Sequence, residues 1–282
     1  MELDEAGLFE SEYALSRVFD FDYPAKLKKK FIILSSPRTA SAKLSSNLYD
    51  SGLAGAPFEY FHKNLLKYRN SPEKRPNELN AYLEEMIARR TSPNGYFGMK
   101  MHFGQFEYLF GRNPTTMAIG VQLLSEFDKR ILISRRDKVS QAIAQLMGRE
   151  TNAWARPENV GGNGLVRAFT PEDVVDISSF LQTLIFWEHS WRKILASMAG
   201  DFIEVAYEDL CEAPEKELGQ IFEYLEIGEF RGGPVSFRTG KQPITEVRAE
   251  MKLNFLEAIG ALNGEIAQKV VLEQGKPLVP PR

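Results

Sequence analysis

Residues 31–44 read F-I-I-L-S-S-P-R-T-A-S-A-K-L: an apolar strand-like run, a tight polar turn and the start of a helical pattern. That order builds an anion site. The turn gathers backbone N–H groups at one spot, and the helix dipole adds positive potential there. Arg38, Thr39 and Ser41 bring side-chain donors to the same place. A nucleotide-phosphate loop of the form G-x-x-x-x-G-K-[ST] would need two glycines and a hydroxyl for Mg²⁺. Aligned on Lys43, this chain reads P-R-T-A-S-A-K-L, with both glycines missing and Leu44 at the hydroxyl position. No apolar run ends in an aspartate suited to the second metal contact; Ile131–Ser134 leads into Arg135 and Arg136. The residues therefore favour a metal-free anion site built on Arg38 over phosphoryl transfer.

The elements that must hold this turn alternate. Short apolar runs at Phe31–Ser35, Tyr96–Met101, Arg130–Ser134 and Phe202–Tyr207 predict buried parallel strands. Helical patterns at Ser41–Ser51, Asn77–Arg90, Gly120–Phe127, Lys138–Met147 and Pro171–Met198 separate them. In the last, Val174, Ile177, Leu181, Leu184, Trp191, Ile194 and Met198 share one face behind a Thr170–Pro171 start. Alternating β and α predicts an α/β fold: a P-loop-like three-layer sandwich, a central parallel sheet with helices on both faces. Residues 1–30 read as an N-terminal arm, ending in the basic flank Lys26 to Lys30, and residues 31–282 as a single domain. Two long irregular stretches, 151–170 and 226–243, read as lids. Ligands in such folds sit outside the carboxyl ends of the strands.

Bulk properties narrow the partners. The net charge of −3 gives no global pull on nucleic acid or anionic membrane, so a polyanion must meet a local basic cluster. Cys211 is the single cysteine, which excludes an intramolecular disulfide and fits a reducing cytoplasm. The acidic N-terminus lacks the apolar core of a signal peptide, and no apolar run reaches the length of a membrane span.

Six motifs in order carry a family resemblance: R-T-A-S-A-K-L at 38–44, A-G-A-P-F-E-Y-F at 54–61, G-M-K-M-H-F at 98–103, R-R-D-K-V-S-Q-A at 135–142, T-x-x-W at Thr151–Trp154, and V-A-Y-E-D-L at 205–210. Together they resemble the bacterial carbohydrate sulfotransferases typified by trehalose 2-sulfotransferase. The resemblance runs from about residue 31 to about residue 225. The family pattern has glycine where this chain has Ala40, threonine where it has Ala42, and an apolar residue where it has Lys43.

The resemblance implies a metal-free sulfotransferase using 3′-phosphoadenosine 5′-phosphosulfate, a hydroxyl acceptor on a carbohydrate or glycolipid, and a homodimer. Arg38, with loop positions Thr39, Ala40, Ser41 and Ala42, is expected at the 5′-phosphosulfate, where Arg38 also neutralises charge on the leaving oxygen. Arg135 and Ser140, at a strand end and one turn into the next helix, are expected at the 3′-phosphate. Arg238 and Lys241 in R-T-G-K are candidates to close over it. Glu59 is the expected general base, with His62 as its rival. Lys100, His102 and Trp154 are expected to line the acceptor side. The alternatives are a P-loop kinase-like phosphotransferase and a catalytically degenerate homologue that binds nucleotide or glycan.

Overall fold

The computed structural model describes residues 16–23, 25–62, 76–151, 168–231, 235, 237 and 242–262. Among them, four strands form one sheet: β1 (Lys29–Ser35), β2 (Tyr96–His102), β3 (Lys129–Ser134) and β4 (Phe202–Ala206). The order is β2-β1-β3-β4 and every pairing is parallel. The strand order reverses between β1 and β3, because β2 follows β1 on one side and β3 lies on the other. A ligand crevice in such a sheet opens beyond the carboxyl ends of the strands at that reversal.

Alternating side chains of β1 feed two core layers, as the pleat requires. Ile32 and Leu34 enter a layer with α2 (Pro76–Arg90), α3 (Phe103–Phe110), α4 (Pro114–Ser125) and the end of α6 (Pro171–Ser197); Met86, Phe106, Leu124 and Trp191 pack there. Phe31 and Ile33 enter the opposite layer, filled by Leu44 and Leu48 of α1 (Ser41–Asp50), Leu210 of α7 (Tyr207–Glu212) and Leu218 and Phe222 of α8 (Pro214–Leu225). The expected three-layer arrangement is thus present. A third apolar cluster joins α5 (Lys138–Thr151), α6 and α9 (Gln242–Leu262) through Ile143, Ile177, Leu181 and Phe255.

The four expected strands all form, with ends moved by one or two residues. Lys29 and Lys30 belong to β1, because their backbones pair with Tyr96 and Phe97. Their ammonium groups turn outward to Glu226 and Glu126. Helix α4 begins at Pro114, ahead of the expected Gly120, because the Asn113 side chain accepts the Thr115 N–H at 2.9 Å and caps it. Helix α6 starts as expected: Thr170 and Asp173 exchange hydrogen bonds in a capping box ahead of Pro171. Helices α3, α7, α8 and α9 had no counterpart in the sequence reading. The part of the arm that is described is pinned to the body, with Phe19 buried and Asp20 paired to Arg89 and Arg90 of α2. Among the described residues, no helix is long and apolar enough to cross a membrane.

Candidate active site

The turn after β1 adopts an unusual backbone. Arg38 (φ 65°) and Ala40 (φ 61°) both occupy the left-handed region. Each such non-glycine residue costs about 1–2 kcal/mol, so the turn must be held by its surroundings. Its carbonyls are held from the next strand-helix unit. Gln141 of α5 donates to Pro37 O at 2.7 Å and to Ser36 Oγ at 2.9 Å, and Arg135 Nη1 donates to Arg38 O at 3.0 Å. Thr39 is fully buried and donates to Ser36 O at 3.0 Å. Among the described residues no side chain caps α1 at Ala40, so its first N–H groups keep their capacity for an anion. Leu44, at the position a metal-binding hydroxyl would take, is buried in the core, and Lys43 is exposed. Ala40→Gly should raise unfolding free energy by about 0.5–1 kcal/mol, because relief of the left-handed alanine exceeds the entropy that glycine adds to the unfolded chain. A urea midpoint below that of the parent chain would show that the turn is not strained at Ala40.

Arg135 leaves the carboxyl end of β3 and is fixed on three sides. Its guanidinium stacks over the Tyr207 ring at 4.3 Å, its N–H donates to Glu188 Oε2 at 3.2 Å, and Nη1 reaches the Arg38 carbonyl. The Y-E-D-L segment accounts for much of this. Tyr207 supplies the ring; the Glu208 carboxylate accepts the N–H groups of Arg136 and Asp137 at 3.0 Å each; Asp209 pairs with the Arg136 guanidinium; Leu210 is buried. Behind Arg135 lies a network that runs from the buried pair Glu188–Lys138 to the partly exposed Arg192, which also takes Glu204.

A third arginine enters from α9. Arg248 is half-buried, and its partial burial together with the nearby charges of Arg38 and Arg135 pushes its guanidinium down to about 10. The Nε atoms of Arg135 and Arg248 are buried without a hydrogen-bond partner among the described residues. Guanidiniums gathered in this way have the charge and donor geometry that suit a polyanion.

The second half of the site lies beside β2, at the sheet edge. Residues 53–62 run along the outer side of that strand, with Lys100 N–H donating to Phe58 O at 2.9 Å. Gly55 (φ +65°) turns the segment in, and a Cβ there would lie 2.8 Å from the carbonyls of Arg90 and Tyr96. Tyr60 and Phe61 anchor it in the core. Glu59 then meets the Lys100 and His102 face of β2. Its Oε1 lies 2.7 Å from Lys100 Nζ and 3.1 Å from His102 Nε2, and Gln105 Nε2 donates to Oε2. His102 Nδ1 lies 2.9 Å from Ser35 Oγ, the last residue of β1, which joins this cluster to the anion turn. Burial would raise the Glu59 carboxyl, but Lys100 and His102 outweigh it and hold the group well below the usual carboxylate range.

The family profile of the Stf0 sulphotransferases matches residues 30–231. The chain belongs to that family. This family member is therefore an enzyme of sulfuryl transfer. No curated protein matches it. Several solved structures are distantly similar, two of them sulfotransferase domains. One is a sulfotransferase domain from the curacin biosynthetic pathway, 14% identical, with 77% of this chain and 82% of that one covered at a TM-score of 0.38. The other is a sulfotransferase domain from the Synechococcus PCC 7002 olefin synthase, 14% identical, with 93% and 92% covered at a TM-score of 0.33.

In this sulfotransferase the expected residues divide as follows. Arg38 and Arg135 come together, and so do Glu59, Lys100 and His102. His102 stands between Ser35 and Glu59 and is a partner of the carboxylate. His62 is half-buried just after Phe61. Ser140 turns to Asp137: its hydroxyl donates to Oδ2 at 2.7 Å and its N–H to Oδ1 at 3.0 Å, the cap of α5. Trp154, Arg238 and Lys241 lie outside the described residues. Arg248, Tyr207 and Gln105 are the additions that sequence reasoning missed. Tyr207 and Gln105 lie in or next to quoted motifs, whereas Arg248 has no motif around it. Among the described residues, no group of three or more His, Cys, Asp or Glu is placed to hold a metal ion.

Proposed function

We propose that this enzyme moves a sulfuryl group from 3′-phosphoadenosine 5′-phosphosulfate to a hydroxyl of a carbohydrate or glycolipid, in one metal-free in-line displacement. The observation that carries the reading is the pairing of a guanidinium cluster at the ends of β1 and β3 with a fixed carboxylate one strand away. The cluster fits the donor by charge, with two buried Nε–H groups that find no acceptor among the described residues. Arg38 and the first N–H groups of α1 serve the phosphosulfate, and Arg135 the second phosphate. Ser140 drops to a supporting role through Asp137.

In the reaction the acceptor oxygen bonds to sulfur while the bond from sulfur to the bridging oxygen breaks. The acceptor proton passes to Glu59, and the bisphosphate leaves with its new negative charge against Arg38. Lys100 keeps Glu59 ionised and so ready to accept, but also makes it a weak base. Proton transfer then has to be late, once bonding to sulfur has made the acceptor hydroxyl acidic. Holding both substrates in line supplies much of the rate. Ala40 does not count against activity on this reading, because the turn reaches its left-handed conformation with alanine in place. The reading includes a homodimer, carried by the resemblance, and a cytoplasmic setting, carried by the lone Cys211.

Mass spectrometry of sugar and lipid pools incubated with isotopically labelled donor and chelator-treated protein tests it. Label appearing in one fraction is the expected result and names the acceptor class. Transfer that needs ATP and Mg²⁺ would favour a kinase-like enzyme, and donor binding without transfer to any pool would favour a binding homologue.

A further inference from the structure

Arg248 is separated in sequence from Arg38 and Arg135, yet both guanidiniums act on it. Arg135 Nη1 donates to the Arg38 carbonyl at 3.0 Å, and the Nε atoms of Arg135 and Arg248 are both buried with no hydrogen-bond partner among the described residues. The charged groups acting on Arg248 among the described residues are two cations, with the Tyr207 phenol beside them. A buried arginine kept for structure is normally paired. Lys252, one turn further along α9, shows the contrast: it pairs with Asp137 at 2.7 Å. Phe255, fully buried, already docks α9 on α5 and α6. The helix therefore has its ion pair and its apolar anchor, and Arg248 adds repulsion to both.

We propose that Arg248 is a third guanidinium ligand for the phosphate groups of the donor, supplied by the C-terminal helix, so that donor binding and docking of α9 are one coupled equilibrium. This rests on the donor reading above. Arg38 approaches from the end of β1, Arg135 from the end of β3 and Arg248 from α9. Three forks from three directions suit a phosphate dianion better than one or two. Without the anion, the three cations oppose docking of α9. With it, each pair becomes a bridged contact, and by linkage helix and ligand stabilise one another equally.

Calorimetric titration of parent, Arg248→Ala and Arg248→Lys proteins with adenosine 3′,5′-bisphosphate and with inorganic pyrophosphate tests the proposal, alongside hydrogen exchange over 242–262. Arg248→Ala should weaken bisphosphate binding by about 10–100-fold, and Arg248→Lys by less. The unliganded Arg248→Ala protein should be at least as stable as the parent, because a repulsion is removed. Bisphosphate should slow exchange across α9 in the parent and not in Arg248→Ala. Affinity for both probes unchanged within about twofold would overturn the proposal, as would a loss of unliganded stability without loss of affinity. A parent protein that binds pyrophosphate but not the bisphosphate would overturn the donor reading instead, and the Arg248 comparison would then be read with pyrophosphate. Binding of neither would overturn both.

Discussion

Glu59→Gln should lower turnover by about 10²–10⁴-fold, the range expected when a general base is removed, while donor affinity stays near that of the parent. Glutamine keeps the shape and an oxygen facing Lys100, but it has no basic site for the acceptor proton. The substitution also leaves the Lys100 ammonium buried beside a neutral group, and breaking a buried pair costs up to about 3–5 kcal/mol. Turnover must therefore be compared on protein shown to be folded. A separate signature lies in the acid limb of stability. The folded Glu59 carboxyl is held below the ordinary glutamate value of 4.5, so its contribution is complete above that pH and falls away as pH drops through the folded value. Glu59→Gln lacks this contribution, and its stability should depend less on pH in that window. Full turnover in the variant would remove Glu59 as the base and leave His102, 3.1 Å from it, as the group to test.

Glu188→Ala should lower unfolding free energy by about 3–5 kcal/mol, read from the urea midpoint. The Glu188 carboxylate is almost wholly buried and accepts from Lys138, from Arg192 at 2.9 Å and from the Arg135 N–H. Removing it strands Lys138, whose ammonium burial already pushes downward despite the pairing. The same change frees the backbone of Arg135, so affinity for adenosine 3′,5′-bisphosphate should fall as well. Glu188→Gln, which keeps the acceptor oxygens in part, should lose less of both. A loss below about 1 kcal/mol for the alanine variant would mean that the network does not hold β3 to α6.

The sheet was legible because buried parallel strands are short apolar runs, and the chain has four of them. Their ends were less so: Lys29 and Lys30 look like a solvated flank by side chain, yet their backbones pair with β2. Glu59 was legible through A-G-A-P-F-E-Y-F, in which Gly55, Tyr60 and Phe61 now have physical reasons for their places. Ser140 was expected at the 3′-phosphate, and its hydroxyl turns to Asp137. Asp137 was recognisable as a helix cap, and a cap three residues before a serine competes for that hydroxyl, as it does here. Arg248 was not legible. Nothing in T-E-V-R-A-E-M-K sets one arginine apart; its environment arises only when α9 packs back against α5 and α6 and brings it to Arg38 and Arg135.

The placement of Glu59 along the free side of β2 has an evolutionary consequence. Arg38 and Arg135 follow the two central strands, where any change disturbs neighbours on both sides, but the Glu59 carboxylate is mounted on a border strand and its strap. On the proposed function, that border can be remodelled without touching the strands that carry Arg38 and Arg135. On the same reading, an exchange of residues 53–62 between relatives should leave affinity for adenosine 3′,5′-bisphosphate unchanged.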